Sequence, residues 1–145
     1  MLFRSLSWFF QVIHIIINQL ESAPVNSTPH TIGLEQLGGA INRKPRDSCA
    51  YVQRDALFLY SVQAVWKPQD EANGNAQACT QWAERAGQSL LAHSLGSYQN
   101  YADCGEAASQ QRLENYFSKS NLQRLKDLKK EYDPRGVLNK AHFEF

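Results

Sequence analysis

The chain has 145 residues, enough for one ordinary domain around one core, and at 43% apolar, 20% charged and 11% aromatic it has the composition of a globular protein. Fifteen basic and fourteen acidic side chains leave a formal charge of +1, without the basic excess by which nucleic-acid binders displace counterions. Three widely spaced cysteines (Cys49, Cys79, Cys104) and four scattered histidines (His14, His30, His93, His142) make no CxxC or HxxxH pair, so neither a disulfide framework nor a metal site is expected.

Arg4, an apolar stretch from Leu6 to Ile17 and small residues at Ser22 and Ala23 have the outline of a secretory signal. Gln11 and His14 interrupt the run, it is too short to span a membrane, and Glu21 stands where a cut after Ala23 wants a small residue. Gln11, His14, Asn18 and Glu21 recur at i, i+3, i+7 and i+10, one stripe of a helix. Residues 1–22 are therefore read as an apolar helix with a thin polar stripe, the signal reading standing beside it, and residues 23–145 as the main region.

Ala23 to His30 is a loop marked by Pro24 and Pro29, with a glycosylation sequon at Asn26-Ser27-Thr28 that is usable only in a secretory lumen. Thr31 to Leu37 reads as a strand that ends in Gly38-Gly39 and resumes at Ala40-Ile41, the glycines admitting a second backbone or a ligand. After a polar loop, Ala56 to Trp66 is the most strand-like run. Alternation puts Phe58, Tyr60, Val62, Ala64 and Trp66 on the expected core face. Leu57, Leu59, Ser61, Gln63 and Val65 take the other, which looks either into a cavity or to solvent.

Asn73-Gly74 signals a turn, after which Ala76, Cys79, Ala83, Ala86 and Leu90 define the buried face of a helix ending near His93. Cys79 is thus expected to be a small buried hydrophobe. A glycine-bounded aromatic stretch from Gly96 to Gly105 precedes helical sequence from Glu106 to Tyr132, broken near Ser118 to Asn121. Asn121 is a candidate cap, Leu122, Leu125, Leu128 and Tyr132 line one face, and Asp133-Pro134 stops the helix. These elements predict an α+β fold, an antiparallel sheet with helices on one side.

Tyr116-Phe117, Asn121-Leu122-Gln123-Arg124-Leu125, Lys129-Lys130-Glu131-Tyr132-Asp133-Pro134 and Val137-Leu138-Asn139 resemble the ending of the berberine-bridge-enzyme-like FAD-linked oxidases, a helix of the form YxxxNxxRLxxxKxxYDPxxxF. Leu37-Gly38-Gly39-Ala40-Ile41 and Tyr98-Gln99-Asn100-Tyr101 fall in that family's order, and Arg54 with the strand to Trp66 also fits. The resemblance covers roughly residues 20 to 145, and the wording of the blocks is closer to fungal than to plant members.

The resemblance implies the late substrate domain and closing helix of a two-domain flavoprotein. The N-terminal FAD-binding domain, with its covalent histidine and often a cysteine, is absent from the 145 residues. None of His14, His30, His93, Cys49, Cys79 or Cys104 sits in that covalent motif. Oxidation in the family passes a hydride to the flavin while a base takes a proton from the substrate, and a tyrosine serves as base in an enclosed site. By resemblance Tyr101 is the first candidate base and Tyr98 the second, with Asn100 contacting the flavin; packing against the sheet is the competing reading for both tyrosines. An extended YxNY segment would separate Tyr101 from Tyr98 and Asn100.

Gln63 falls near a position where some plant members carry a glutamate base. Glutamine cannot accept that proton, which leaves Gln63 as a substrate contact, joined by Glu35 or Gln36 according to which face of their strand turns inward. Arg54 reads as structural. The implied function is an FAD-linked oxidation of a small-molecule, secondary-metabolite substrate, with a flavin domain supplied by a separate FAD-binding chain or a longer gene product. An inactive remnant or binding module and a secreted binding protein are the competing readings. No nucleic-acid partner and no transmembrane span are expected.

Overall fold

The computed structural model describes residues 6–24, 29–101 and 110–138. The chain forms two compact units, Met1–Leu37 with Leu57–Ser94, and Gly38–Ala56 with Leu95–Phe145. Each holds its own buried cluster, where the length alone suggested a single core. The sequon, Asp103, Cys104, the expected helix start at Glu106, Asn139 and His142 lie outside the described residues.

In the first unit, helix α1 (Leu6–Glu21) buries Val12 and Ile16, one turn apart, against Leu90, with Ile15, Ile32 and Tyr60 packed around them. Its polar residues Gln11, His14, Asn18 and Glu21 are all exposed, as the stripe requires, and Phe10 and Ile17 are exposed as well. Strand β1 (Thr31–Gln36) pairs antiparallel with β2 (Phe58–Gln63), from Thr31 opposite Gln63 to Gln36 opposite Phe58. Ile32 and Tyr60 share one face of this ladder, and it is the face that meets the helical cluster. The fold is thus α+β, a two-stranded antiparallel sheet with helices.

β2 is shorter than the run from Ala56 to Trp66 because its partner gives out. Pro29 offers no amide hydrogen to extend the ladder, and the Val65 N–H donates to His30 Nδ1 at 3.3 Å. At the other end one further bond, Leu37 N–H to Leu57 O at 2.8 Å, closes the pairing. The strand does not resume at Ala40-Ile41, where the chain turns. Gly38 and Gly39 have φ of 132° and 56°, and a Cβ on either would meet open space. They serve the turn's backbone conformation, and among the described residues no second backbone approaches them.

Helix α2 (Gln69–Ala72) is a single turn. Gly74, at φ 81°, then leads into α3 (Asn75–Leu91), where Asn73 Oδ1 accepts the Asn75 N–H at 3.1 Å. α3 buries Cys79, Trp82, Ala86 and Leu90. Trp82 takes the central place expected for Ala83, since the two positions adjoin and the indole removes far more apolar surface from water. Its Nε1–H donates to Gln19 O at 2.7 Å, and its ring stacks on His30 with centroids 5.0 Å apart. Cys79 is fully buried, as expected of a small hydrophobe, with Sγ 3.4 Å from His30 Nε2.

In the second unit, α4 (Gln110–Tyr116), α5 (Lys119–Tyr132) and the link between them supply a cluster of Leu113, Tyr116, Phe117 and Leu122, with Ala50 and Leu125 against it. The cap of α5 is Ser118, whose Oγ accepts the Asn121 N–H at 3.2 Å. Asn121 is instead buried inside the first turn, and its Nδ2 donates to Cys49 O at 2.9 Å. Along α5 the apolar stripe runs from buried Leu122 to exposed Leu128 and Tyr132. Among the described residues no helix is long and apolar enough to cross a membrane, and no group of three or more His, Cys, Asp or Glu is placed to hold a metal ion.

Candidate functional site

Tyr98 to Tyr101 does not run extended. Gln99–Tyr101 forms a 3₁₀ turn, closed by the Tyr101 N–H donating to Tyr98 O at 3.0 Å. Three residues per turn bring i and i+3 to the same side, so the two candidate bases stand together, ring centroids 5.2 Å apart at 78°. The separation expected from strand alternation is overturned. Asn100 Nδ2 donates to Tyr98 Oη at 2.9 Å, which joins all three residues of the expected site. Tyr98 is half-buried and Tyr101 is 61% exposed.

The turn is held from two directions. Gly96, at φ 151°, passes so close to α4 that a Cβ there would lie 2.5 Å from Asn115 O, and the Ser97 N–H donates to that oxygen at 3.1 Å. Gln53 Nε2 reaches the carbonyls of Asn115, Ser97 and Tyr116 at 3.0, 3.2 and 3.4 Å. Behind the turn, the Tyr51 ring meets Tyr98 edge-on at 5.8 Å, and the Arg54 guanidinium lies over Tyr51, 4.9 Å from its centroid. Burial raises the Tyr51 phenol above its ordinary value; the Arg54 charge opposes the rise and Tyr98 adds to it. Arg54 ties its own loop together by donating to Ile41 O at 3.2 Å and Cys49 Sγ at 2.8 Å. Tyr51 and Gln53 carried no sequence signal, because their partners are backbone atoms more than forty positions away or rings packed only by the fold.

At the end of α5, the buried Asp133 carboxylate accepts from Lys129 Nζ and from the N–H groups of Val137 and Leu138 at 2.7 and 2.9 Å. Lys129 also donates to Leu138 O at 2.7 Å. These bonds, led by Lys129, lower the Asp133 carboxyl to a pKa of about 2 against the opposing effect of burial. Asp133 therefore does more than stop the helix: it fastens the chain that follows.

The remaining expected residues belong to the first unit. Gln63 is exposed at the end of β2, opposite Thr31, on the face of Ser61 and Glu35. Gln36 lies at the other end of the ladder, opposite Phe58 and on the other face. Five residues at about 3.4 Å each separate the ends by about 17 Å. Of the two alternatives on β1, Glu35 shares a face with Gln63 and Gln36 does not.

The tyrosine turn, α4, α5 and the Asp133 latch lie in one contiguous stretch of sequence. Residues 97–142 match the model of the berberine and berberine-like family. This berberine-like segment begins one residue before Tyr98 and takes in every C-terminal block of the resemblance. Over nearly the whole chain there is further similarity to two proteins of Bacillus subtilis (strain 168). The uncharacterized FAD-linked oxidoreductase YvdP is 31% identical over 133 residues, 90% of this chain and 27% of that protein. The uncharacterized FAD-linked oxidoreductase YgaK is 30% identical over 127 residues, 88% of this chain and 26% of that protein. The chain thus spans about a quarter of the length of the curated relatives it matches. Both are bacterial proteins, and neither match supports the fungal affinity expected of the blocks.

Proposed function

We propose that the chain forms the late substrate domain and closing helix of an FAD-linked oxidoreductase that oxidises a small-molecule, secondary-metabolite substrate, the flavin-holding half being carried by a separate chain or by further sequence of the same gene. The observation that carries this reading is the 3₁₀ turn inside the berberine-like segment, which gathers Tyr98, Asn100 and Tyr101. The donor set suits the cofactor: Asn100 and the Tyr101 ring are both exposed, an amide for the polar edge of an isoalloxazine and an aromatic face for its ring. FAD, when bound, supplies the hydride acceptor.

The chain's own residues handle the proton. Tyr101, the more exposed phenol, takes it from the substrate hydroxyl, phenol or amine, and Tyr98 is the alternate base. Asn100, which donates to Tyr98 Oη, orients that phenol and is the residue that would contact the flavin. Gln63, in the first unit, contacts substrate through its amide, and Glu35 stands on the same face four positions along the ladder; Gln36 is the weaker candidate, since it lies on the other face.

The test is the complete enzyme with FAD bound, its flavin reduction followed in single turnover at 450 nm. Tyr101→Phe should slow reduction by about 10² to 10⁴, with Tyr98→Phe slower than wild type to a lesser degree. Wild-type reduction rates in both variants would remove the tyrosine base from the proposal.

A further inference from the structure

Arg54 is only 8% exposed, and among the described residues no carboxylate pairs with it. A buried guanidinium calls for acceptors along its edges. Nε and Nη2 share one edge, the parallel fork that suits a two-atom acceptor. On that edge Nη2 meets Cys49 Sγ at 2.8 Å, while Nε is buried and has no acceptor. One sulfur atom therefore faces a fork built for two.

Cys49 is a free and exposed thiol, so a small reagent can reach its sulfur beside the Arg54 guanidinium that donates to it. Its backbone is fixed by buried Asn121, which donates to Cys49 O. An accessible thiol beside a cation is the setting in which cysteines react; Cys79, whose Sγ lies 3.4 Å from His30 Nε2, is fully buried and lacks the access.

We propose that Cys49 is a redox-modification site, oxidised by a hydroperoxide to a sulfenic acid whose new oxygen accepts from the unpaired Nε–H of Arg54. In the step an S–O bond forms as the O–O bond of the hydroperoxide breaks. Sulfur loses two electrons, the peroxide is reduced to an alcohol or water, and the thiol proton leaves with the departing oxygen. Arg54 also lies over Tyr51, which packs on Tyr98, so the modified sulfur sits at one end of a row of contacts that reaches the tyrosine turn.

The experiment uses the full chain, treated with dilute hydrogen peroxide in the presence of dimedone, with labelling at each cysteine followed by peptide mass spectrometry. Cys49 should label on the order of tenfold faster in the folded chain than in the same chain unfolded in urea, the gain of one charge-assisted contact. Arg54→Gln, which removes the cation, should bring the folded rate down to the unfolded value, and Cys49→Ser should remove that label alone. Equal or slower labelling of Cys49 in the folded chain overturns the proposal, as does an Arg54→Gln chain that folds and keeps the wild-type rate. Where Arg54→Gln fails to fold, the folded-to-unfolded ratio of the wild-type chain decides by itself.

Discussion

Removing the Gln53 amide tests whether the tyrosine turn is held from outside itself. Gln53 Nε2 faces three carbonyl oxygens, those of Asn115, Ser97 and Tyr116 at 3.0, 3.2 and 3.4 Å. An amide has two protons, so two bonds are satisfied at any moment and the third carbonyl shares. At about 1 kcal/mol net for each bond, and with part of the freed carbonyl surface open to water, Gln53→Ala should weaken this junction by about 1–3 kcal/mol. Global unfolding is a poor readout in a chain of two units. Amide exchange at Ser97, whose N–H donates to Asn115 O, reports local opening directly. That amide should exchange about 5- to 150-fold faster in Gln53→Ala, as the loss of 1–3 kcal/mol requires, while amides of α3 in the other unit keep their rates. Gln53→Glu is the sharper perturbation: it has nearly the same shape but sets a carboxylate against the three carbonyl oxygens. It should open the turn more than alanine does at neutral pH and recover as the carboxyl gains its proton. A Ser97 amide within twofold of wild type in Gln53→Ala, with Gln53→Glu tolerated equally well, would refute the reasoning.

In the first unit, Leu90 is fully buried against Val12 and Ile16, so Leu90→Ala should cost about 2–5 kcal/mol. All three tryptophans, Trp8, Trp66 and Trp82, belong to that unit, and urea unfolding followed by tryptophan fluorescence reads the loss; a change below about 1 kcal/mol would mean that the cluster is not a packed core. In the second unit, Asp133 has its folded pKa lowered from 3.8 to about 2. A depressed carboxyl favours the folded state above its unfolded value, and that contribution is lost as pH falls toward the folded one. Acid should therefore release the latch at Val137 and Leu138 between pH 3.8 and about 2. Asp133→Asn should remove this step from an acid titration of amide exchange in the C-terminal segment, and an unchanged profile would show that the carboxylate does not hold the tail.

Local pattern alone located most of the elements. The polar stripe of α1, the two strands, the turn at Asn73-Gly74 and the helix carrying Cys79 and Leu90 all follow from spacing, because a residue's neighbours within an element are fixed by its period. The blocks near the C-terminus were legible too, and the family match falls on them. Tertiary structure decided what those blocks hold. Asn121 reads as a helix cap from sequence, yet it reaches back 72 positions to Cys49 O, since Ser118 already fills the capping role. Tyr98 and Tyr101 were placed apart by the assumption of an extended chain and are brought together by one 3₁₀ turn. That turn rests on Gln53 and Gly96, whose partners lie on a different stretch of chain. The division into two buried clusters was equally hidden: composition sets how much apolar surface there is to bury, and only long-range contacts settle how it is divided.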